Sequence, residues 1–328
     1  MARSNPHRPF VPDPDQMRLW PDVSGNEVNG LGETEFRRAR MVYWATNLSD
    51  IPHGELQGYF YGQSAREPRF GVAREKRQAV LDLPLPDISP QQNQSVDQSW
   101  EEASKSFLSD GLCEKFGVAQ VDPDWVLEDF EATLPRVVMI GVQHDFDEIS
   151  KAPEAEAGLE VMEQYRRAAL AAKTTATWLR HQGWQAEPLT GPMTSSLAMI
   201  PPALACGFGE LGKHGSIINP ELGSSFRLSA VLTDAPLTIT PAQEYGIDDF
   251  CKNCRICQDA CPPEALFSEK QTVRGVRKWY VDFDKCLPFF NQTHGCAICI
   301  AVCPWSRPGV GPNLAAKLAR RAKRNAGP

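Results

Sequence analysis

Hydrophobic and polar positions along this chain follow two repeats, one typical of strands and one typical of helices. Residues 136–142 are almost continuously apolar and lie between Pro135 and the polar His144, which predicts a buried strand. Residues 160–181 carry an apolar side chain at every third or fourth position, which predicts a long helix that Gly183 ends. The apolar face of this helix consists of Val161, Tyr165, Ala168, Ala172, Ala176 and Leu179.

Two further strands are predicted at residues 184–188 and 226–232, so strands alternate with helices and indicate an α/β (α+β) core. Alternation within residues 226–232 places Arg227 on the face opposite the larger apolar side chains. Arg227 therefore either lines a cavity or forms a structural ion pair. One face of the strand carries Phe226, Leu228, Ala230 and Leu232, and the other carries Arg227, Ser229 and Val231.

The first third of the chain has weaker periodicity. Residues 1–29 are rich in Pro, Asp and Asn and predict an extended arm, whereas residues 33–62 look helical and aromatic-rich. Residues 83–98 are polar and broken by proline, and a helix is predicted at residues 100–112. We expect an N-terminal arm and helical region at 1–130, an α/β core at 131–245, a cysteine-rich domain at 246–310 and a basic tail at 311–328.

Composition narrows the class of protein. The net charge of −7 argues against a nucleic-acid partner, and no stretch of about 18 apolar residues predicts a membrane segment. The pair Arg37–Arg38 lies far from the start and is not expected to be an export signal. Cysteines that bind metal must stay reduced, which indicates a cytoplasmic protein.

The C-terminal tail carries five cations and no acid. It either docks an acidic electron donor, such as a ferredoxin or flavodoxin, or is a solvated helix. The cations are Lys317, Arg320, Arg321, Lys323 and Arg324.

Eight of the ten cysteines lie between Cys251 and Cys303, in two runs that each end in Cys-Pro. The x2-x2-x3 spacing is typical of two [4Fe–4S] clusters, in which the fourth cysteine of a run binds the other cluster. Zinc stays an alternative for paired Cys-x2-Cys sequences, although this run is not the usual zinc pattern. Cys113 and Cys206 have no partner at ligand spacing. The spacing assigns Cys251, Cys254, Cys257 and Cys303 to one cluster, and Cys261, Cys286, Cys296 and Cys299 to the other.

A glycine-rich segment precedes the last predicted strand. Glycines permit positive φ and close approach of a bulky ligand, so the segment is either a ligand cradle or a surface turn. It differs from the dinucleotide-binding fingerprint, because Pro220 breaks any helix after it. The candidate ligand-binding residues are Gly207, Gly209, Glu210, Gly212, Lys213, Gly215 and Ser216.

Residues 165–308 resemble the cobalamin-dependent reductive dehalogenases. The resemblance is carried by Gly207-Phe-Gly-Glu-Leu-Gly-Lys-His-Gly-Ser216, by Lys278-Trp-Tyr-Val-Asp282 and by both cysteine runs. It extends to residues 165–167, 178–186, 217–221 and 231–237, and more weakly to residues 43–53. Epoxyqueuosine reductase, a relative that also uses cobalamin and two clusters, shares part of these motifs.

Three features favour the dehalogenases. A long segment precedes Arg136, and residues 191–196 lack the catalytic aspartate of epoxyqueuosine reductase. The sequence of residues 278–282 is more similar to the motif of the dehalogenases. The chain departs from the dehalogenases at Ser224–Ser225, where Pro-Arg is usual, and it lacks the twin-arginine signal of respiratory members. It also lacks the flavin and NAD reductase domain of self-sufficient members, so it is expected to take electrons from an external donor.

The resemblance implies a nitroreductase-like cobalamin-binding domain followed by a ferredoxin-like domain with two [4Fe–4S] clusters. It implies base-off cobalamin, held in part by the glycine loop, and cob(I)alamin-mediated cleavage of a carbon–halogen bond in a small organohalide. It further implies that Tyr165 donates the proton with help from Arg227, 62 positions later. A tyrosine on the apolar face of a helix is more often a core residue, whose hydroxyl needs a partner if it is buried. An epoxyqueuosine-type reductase and a corrinoid-reducing electron-transfer protein without its own substrate remain alternatives.

Overall fold

A four-stranded antiparallel sheet lies at the centre of this computed structural model, which describes residues 5–131, 133–191 and 195–325. Its strand order is β1-β2-β6-β3, and two small hairpins, β4–β5 and β7–β8, lie outside it. The strands are β1 Lys115–Gln120, β2 Arg136–Gln143, β3 Ala186–Leu189, β4 Glu210–Leu211, β5 Ile217–Ile218, β6 Phe226–Thr233, β7 Gln271–Val273 and β8 Val276–Lys278.

Helices surround the sheet and make up most of the cysteine-rich domain. Short 3-10 turns occur at Leu48–Asp50, Pro123–Trp125 and Pro304–Ser306. The helices are α1 Pro14–Met17, α2 Gly25–Val28, α3 Gly54–Ser64, α4 Arg69–Leu81, α5 Val96–Ser109, α6 Phe146–Ile149, α7 Ala155–His181, α8 Ile200–Ala205, α9 Ile247–Asn253, α10 Ile256–Ala260, α11 Phe283–Gln292, α12 Ile298–Ala301 and α13 Val310–Asn325.

The central strands β2 and β6 are apolar because both faces of the sheet are covered. Val138, Ile140 and Val142 pack with the alanine-rich face of α7, whereas Val137 and Met139 pack on the opposite side. A strand buried on both faces reads as a continuous apolar run, as residues 136–142 do. The predicted strands at 136–142 and 226–232 are therefore confirmed.

Helix α7 is held to β6 by packing and by one buried hydrogen bond. Ala168, Ala172, Ala176 and Leu179 are fully buried, as the periodicity predicts. The Ser229 hydroxyl donates to the Ala168 carbonyl at 2.7 Å. This bond aligns α7 with β6, so that Tyr165, one turn before Ala168, lies near Arg227, two positions before Ser229.

The prediction of a helix over residues 33–62 is wrong for its first two thirds. Residues 33–47 run without regular structure, and α3 begins only at Gly54, just after Pro52. Tertiary contacts override helix propensity here, because Arg37 bonds to Glu33, to the Val28 carbonyl and to Glu128. Helix α4 and strand β1 are not predicted from the sequence at all.

The N-terminal arm packs against the cysteine-rich domain. The Asn5 amide donates to the Ala260 carbonyl at 2.9 Å, and Nε of Arg8 donates to the Cys261 carbonyl at 3.0 Å. The arm is extended as predicted except for two short helical turns, α1 and α2. Within the described part of the chain, no helix is both long enough and apolar enough to cross a membrane.

Candidate functional site

A cavity of about 270 Å³ lies where α3, α4 and α7 meet β6 and the segment before α12. Residues from segments more than 200 positions apart in the chain share it. Its lining includes Trp44, Phe60, Tyr61, Phe70, Arg74, Arg77, Tyr165, Arg227, Phe290, His294 and Cys296.

Tyr165 and Arg227 meet in this cavity. The guanidinium carbon of Arg227 lies 5.0 Å from the centre of the Tyr165 ring, a cation–π distance. The two residues lie on facing sides of α7 and β6, one helical turn and one strand repeat away from the Ala168–Ser229 bond. The structure therefore brings together the two residues that the sequence selects, and gives Arg227 a place in a cavity.

A second arginine, Arg77 of α4, approaches the same ring at 5.8 Å. Nε of Arg77 and Nε of Arg227 are both buried and have no hydrogen-bond partner among the described residues. Neither Arg77 nor Arg227 forms an ion pair with a carboxylate of any described residue. Burial lowers the pKa of Arg77, since it removes water from the charge.

A third arginine, Arg74, lies one turn before Arg77 and donates to the Ser64 hydroxyl at 3.0 Å. Among the described residues that line the cavity, none is an aspartate or glutamate. The sequence analysis missed Arg74 and Arg77 because it did not predict helix α4. The signal that could have found it is the Arg74–Arg77 spacing, which places both side chains on one helical face.

Aromatic side chains form one wall of the cavity. Phe60 stacks on Phe290 at 5.4 Å between ring centres, and Trp44 meets Phe60 edge-to-face at 5.5 Å. Phe70 stacks on His294 at 4.8 Å. These contacts join the N-terminal third of the chain to the cysteine-rich domain, and sequence analysis assigned none of these residues to a site.

The first set of cysteines lies around the ends of α9, α10 and α12. Burial raises the pKa of Cys251 to about 12, and the neighbouring thiols of Cys303 and Cys254 act in the same direction. Burial likewise raises the pKa of Cys257 to about 12, with Cys303, Cys251 and Cys254 as its neighbours. Cys303 of the second run is thus a neighbour of Cys251 and Cys257 of the first run.

The second set is arranged in the same way. Burial raises the pKa of Cys296 to about 12, with Cys261 as its thiol neighbour. Burial also raises the pKa of Cys299, and Cys296, Cys286, Cys257 and Cys261 surround it. Because Cys257 belongs to the first set, the two sets adjoin each other.

These thiols fit iron–sulfur ligation by their number and grouping. All ten cysteines are free, so none of the eight is lost to a disulfide. Within the described ranges, no three His, Cys, Asp or Glu side chains converge closely enough to hold one metal ion. Buried neutral thiols must lose protons to bind iron, so cluster insertion is coupled to proton release.

Cys113 and Cys206 lie outside both sets. Cys113 is buried and its thiol points to the Lys115 carbonyl at 3.8 Å. Cys206 is buried beside Gly117, where an added Cβ would approach its sulfur to 2.8 Å. Both are core residues beside β1.

The glycine loop forms the β4–β5 hairpin, and its glycines face other parts of the protein. Gly209 has φ of +132°, and an added Cβ would lie 2.0 Å from the Ile218 carbonyl oxygen. A Cβ on Gly212 would lie 2.6 Å from the Ile218 side chain, and one on Gly215 would lie 3.0 Å from Val281. Gly207 has φ of +77° and faces the Pro241 carbonyl. None of these residues lines the cavity.

The polar side chains of this loop contact the cysteine-rich domain. Lys213 is buried and donates to the Cys254 carbonyl at 2.9 Å. Glu210 accepts from the backbone N–H of Ile247 at 3.2 Å and of Asp248 at 3.0 Å, which places a carboxylate at the start of α9. The backbone N–H of Ser216 donates to Nδ1 of His214. The loop therefore contacts the cysteine-rich domain through these side chains.

His144, at the end of β2, adjoins Arg227. Its Nδ1 lies 3.0 Å from the Ser225 hydroxyl, and its Nε2 is buried without a partner among the residues described. Burial holds the pKa of His144 well below its usual value, and the Arg227 charge acts in the same direction. This imidazole is neutral at physiological pH.

Comparisons with known proteins agree with this arrangement. Residues 250–306 match the family of 4Fe-4S dicluster domains, which confirms the predicted iron–sulfur domain. The tetrachloroethene reductive dehalogenase of Desulfitobacterium hafniense is 31% identical over 215 residues, which are 61% of this chain and 38% of that protein. Epoxyqueuosine reductase of Cellulophaga algicola is more distant, at 28% over 122 residues, which are 32% of this chain and 36% of that enzyme.

Two solved structures have the same fold. The catabolic reductive dehalogenase NpRdhA, in complex with 3-bromo-4-hydroxybenzoic acid, aligns with a TM-score of 0.67 at 22% identity over 77% of this chain and 40% of its own. A reductive dehalogenase structure described for B12-dependent dehalogenation aligns with a TM-score of 0.66 at 22% identity over 76% and 40%. The chain is thus similar to reductive dehalogenases and has their fold, although it spans less than half the length of these relatives.

Proposed function

We propose that this chain carries out cobalamin-dependent reductive dehalogenation, in which an organohalide R–X, two electrons and one proton give R–H and a halide ion. The observation that carries the proposal is a single cavity that joins Tyr165 and Arg227 to Cys296. A proton donor and a cysteine of the second thiol set therefore adjoin one space large enough for a small substrate. Similarity to reductive dehalogenases supports the same reaction.

Each cofactor has candidate residues. The two thiol sets would hold [4Fe–4S] clusters, which transfer single electrons. Unpartnered buried donors beside the cavity, such as Nε of Arg227 and Nδ1 of His294, fit a ligand rich in amide and phosphate acceptors such as cobalamin. Cobalamin held by such residues would supply a reducing cobalt centre for cleavage of the carbon–halogen bond. The glycine loop remains a proposed contact through its backbone, because Glu210 and Lys213 are bonded within the protein.

Within the cavity, Tyr165 is the proposed proton donor. Its hydroxyl gives the proton that replaces the halogen, and the negative charge left on its oxygen lies near a guanidinium. Arg227 stabilises that charge from its position over the ring. The aromatic wall of Trp44, Phe60 and Phe290 gives one side of the cavity an apolar surface.

The arginines favour an organohalide that carries a carboxylate or phenolate. Arg74, Arg77 and Arg227 line the cavity, and no carboxylate is present among its described lining residues. A desolvated guanidinium without a counter-ion is unfavourable, so an anionic ligand gains by pairing with it. Stacked aromatic side chains suit a flat ring, and the bound acid in the NpRdhA structure is of this chemical class.

The test is anaerobic reconstitution with iron, sulfide and cobalamin, followed by halide release from 4-bromobenzoate with a low-potential reductant. We expect stoichiometric bromide and benzoate. Reduction of the bound corrin without bromide release from any organohalide would instead favour the electron-transfer alternative. Conversion of epoxyqueuosine in a tRNA stem-loop, without dehalogenation, would favour the second candidate.

A further inference from the structure

Helix α13 covers the cysteine-rich domain with one apolar face and leaves its other face charged. Leu314, Ala315 and Leu318 pack with Phe250 and Ile247 of α9, the helix that carries Cys251. The remaining side chains of α13 are exposed over most of the helix. The basic tail is therefore a fixed surface beside the first thiol set.

Two adjoining grooves run between α13 and α9. One has a volume of about 710 Å³ and the other about 720 Å³, and they share Phe250, Leu318 and Arg321. The second groove is also lined by Cys254, a half-buried cysteine of the first thiol set. A redox centre held by Cys254 would thus lie at the floor of an open groove.

The charge of these grooves is opposite to that of the whole chain, which is −7. Lys252 is paired with Asp249 at 2.5 Å, and Arg255 with Asp259 at 3.3 Å, so these two cations are largely neutralised. The cations of α13 form no ion pair with the described residues, and all five are exposed. They are Lys317, Arg320, Arg321, Lys323 and Arg324.

The two thiol sets adjoin different openings of the protein. Cys254 of the first set lines the basic groove, whereas Cys296 of the second set lines the cavity that holds Tyr165. Cys257 and Cys299 lie next to each other where the sets meet. The order along this path is therefore basic groove, first set, second set and cavity.

We propose that the groove between α9 and α13 is the docking site for a small acidic electron-transfer protein of the ferredoxin or flavodoxin class. Unpaired cations attract an acidic surface and speed its association. Each docking event oxidises the carrier by one electron and reduces the centre held by Cys254 by one electron. Two events supply the electron pair that the dehalogenation consumes, so this inference rests on the proposed function.

The experiment measures the rate at which flavodoxin hydroquinone reduces the oxidised holoprotein under anaerobic conditions. The readout is the loss of cluster absorbance in a stopped-flow instrument. The variant Lys317→Glu/Arg321→Glu reverses two exposed charges and should retain the fold. We expect reduction at low salt to slow by about tenfold or more, within the range of electrostatic steering. Wild-type reduction should also slow as ionic strength rises.

Two controls separate docking from other effects. Arg277→Glu reverses an exposed charge of the same domain outside the grooves and should change the rate less than about twofold. Reduction by the methyl viologen radical, which needs no docking surface, should be equal in all variants. Calorimetric titration of flavodoxin into each protein gives binding without turnover, and affinity should fall only in the double variant.

A double variant that flavodoxin reduces at the wild-type rate at low salt would overturn the proposal. Binding of RNA or of phosphatidylglycerol vesicles in place of flavodoxin would overturn it as well. The readout is cluster reduction and not halide release. If the protein passes these tests but releases no halide, the proposed reaction is contradicted while the docking site is supported.

Discussion

The ring of Tyr165 lies close to two guanidinium groups, with Arg227 at 5.0 Å and Arg77 at 5.8 Å from its centre. Arg227 belongs to β6 and Arg77 to α4, so three elements hold one phenol. Neither arginine forms an ion pair with any described carboxylate. Positive charge therefore lies beside the phenol that we propose as the proton donor.

Tyr165→Phe removes one hydroxyl and little volume. If Tyr165 is the general acid, turnover should fall by about 10²–10⁴-fold while iron and corrin contents stay unchanged. The measurement is halide release under conditions where chemistry limits the rate. Tyr59→Phe is the matched control, because Tyr59 bonds to Asp13 outside the cavity. Wild-type turnover in Tyr165→Phe would make Tyr165 a core residue only.

Double substitutions can test the crossed cysteine sets. The intact protein should bind about eight irons per chain. Cys251→Ala/Cys303→Ala removes two thiols of one set and should leave about four irons. Cys251→Ala/Cys299→Ala removes one thiol of each set, so this variant should bind less iron than Cys251→Ala/Cys303→Ala. Equal iron in the two variants would contradict the pairing, and Cys206→Ala, a core cysteine, should retain all the iron.

Arg77→Gln tests the preference for an anionic substrate. Charge-assisted hydrogen bonds contribute roughly 1.5–3 kcal/mol, so affinity for 4-bromobenzoate should fall by about tenfold or more. Affinity for the neutral 4-bromobenzamide should change little, and Lys76→Gln, at an exposed neighbouring position of α4, should change neither. Both affinities can be measured by tryptophan fluorescence. A loss of corrin on desalting would instead assign Arg77 to the cofactor's phosphate.

Gly209→Ala tests the close approach within the β4–β5 hairpin. Its Cβ would lie 2.0 Å from the Ile218 carbonyl oxygen at a φ of +132°, so the free energy of unfolding should fall by about 2 kcal/mol or more. Gly71→Ala, in open space on α4, should instead raise it by roughly 0.5–1 kcal/mol. Urea unfolding measures both. Corrin loss from a stable Gly209→Ala protein would show that the loop contacts cobalamin.

His144 should make stability depend on pH. Its pKa is well below 6.5 in the folded protein, because burial disfavours the charged ring, whereas the unfolded chain has an ordinary histidine pKa. Below about pH 6.5 the unfolded state therefore binds more protons than the folded state. The free energy of unfolding should then decrease as the pH decreases, by up to about 1.4 kcal/mol per pH unit. Anaerobic urea unfolding between pH 7.5 and about 5 measures this slope. His144→Gln should show a smaller slope than the wild type, and an unchanged slope would contradict the prediction.

The sequence by itself determined the features whose signals are local. Ligand spacing along the chain predicted two sets of four thiols, because most cluster-binding cysteines follow one another at short intervals. Periodicity predicted the buried face of α7 and which residues of β6 share a face, since each face repeats along its own element. Together these faces placed Tyr165 and Arg227 on surfaces that could meet.

Tertiary structure alone decided what joins distant segments. Arg77 reaches Tyr165 because α4 packs along α7, and the run of charged and polar residues in the middle of α4 gives little sign of that contact. The glycine loop looked like a ligand cradle, yet Glu210 and Lys213 bond to the cysteine-rich domain more than 30 residues away. Such contacts depend on the packing of whole elements against one another, which no local pattern of residues encodes.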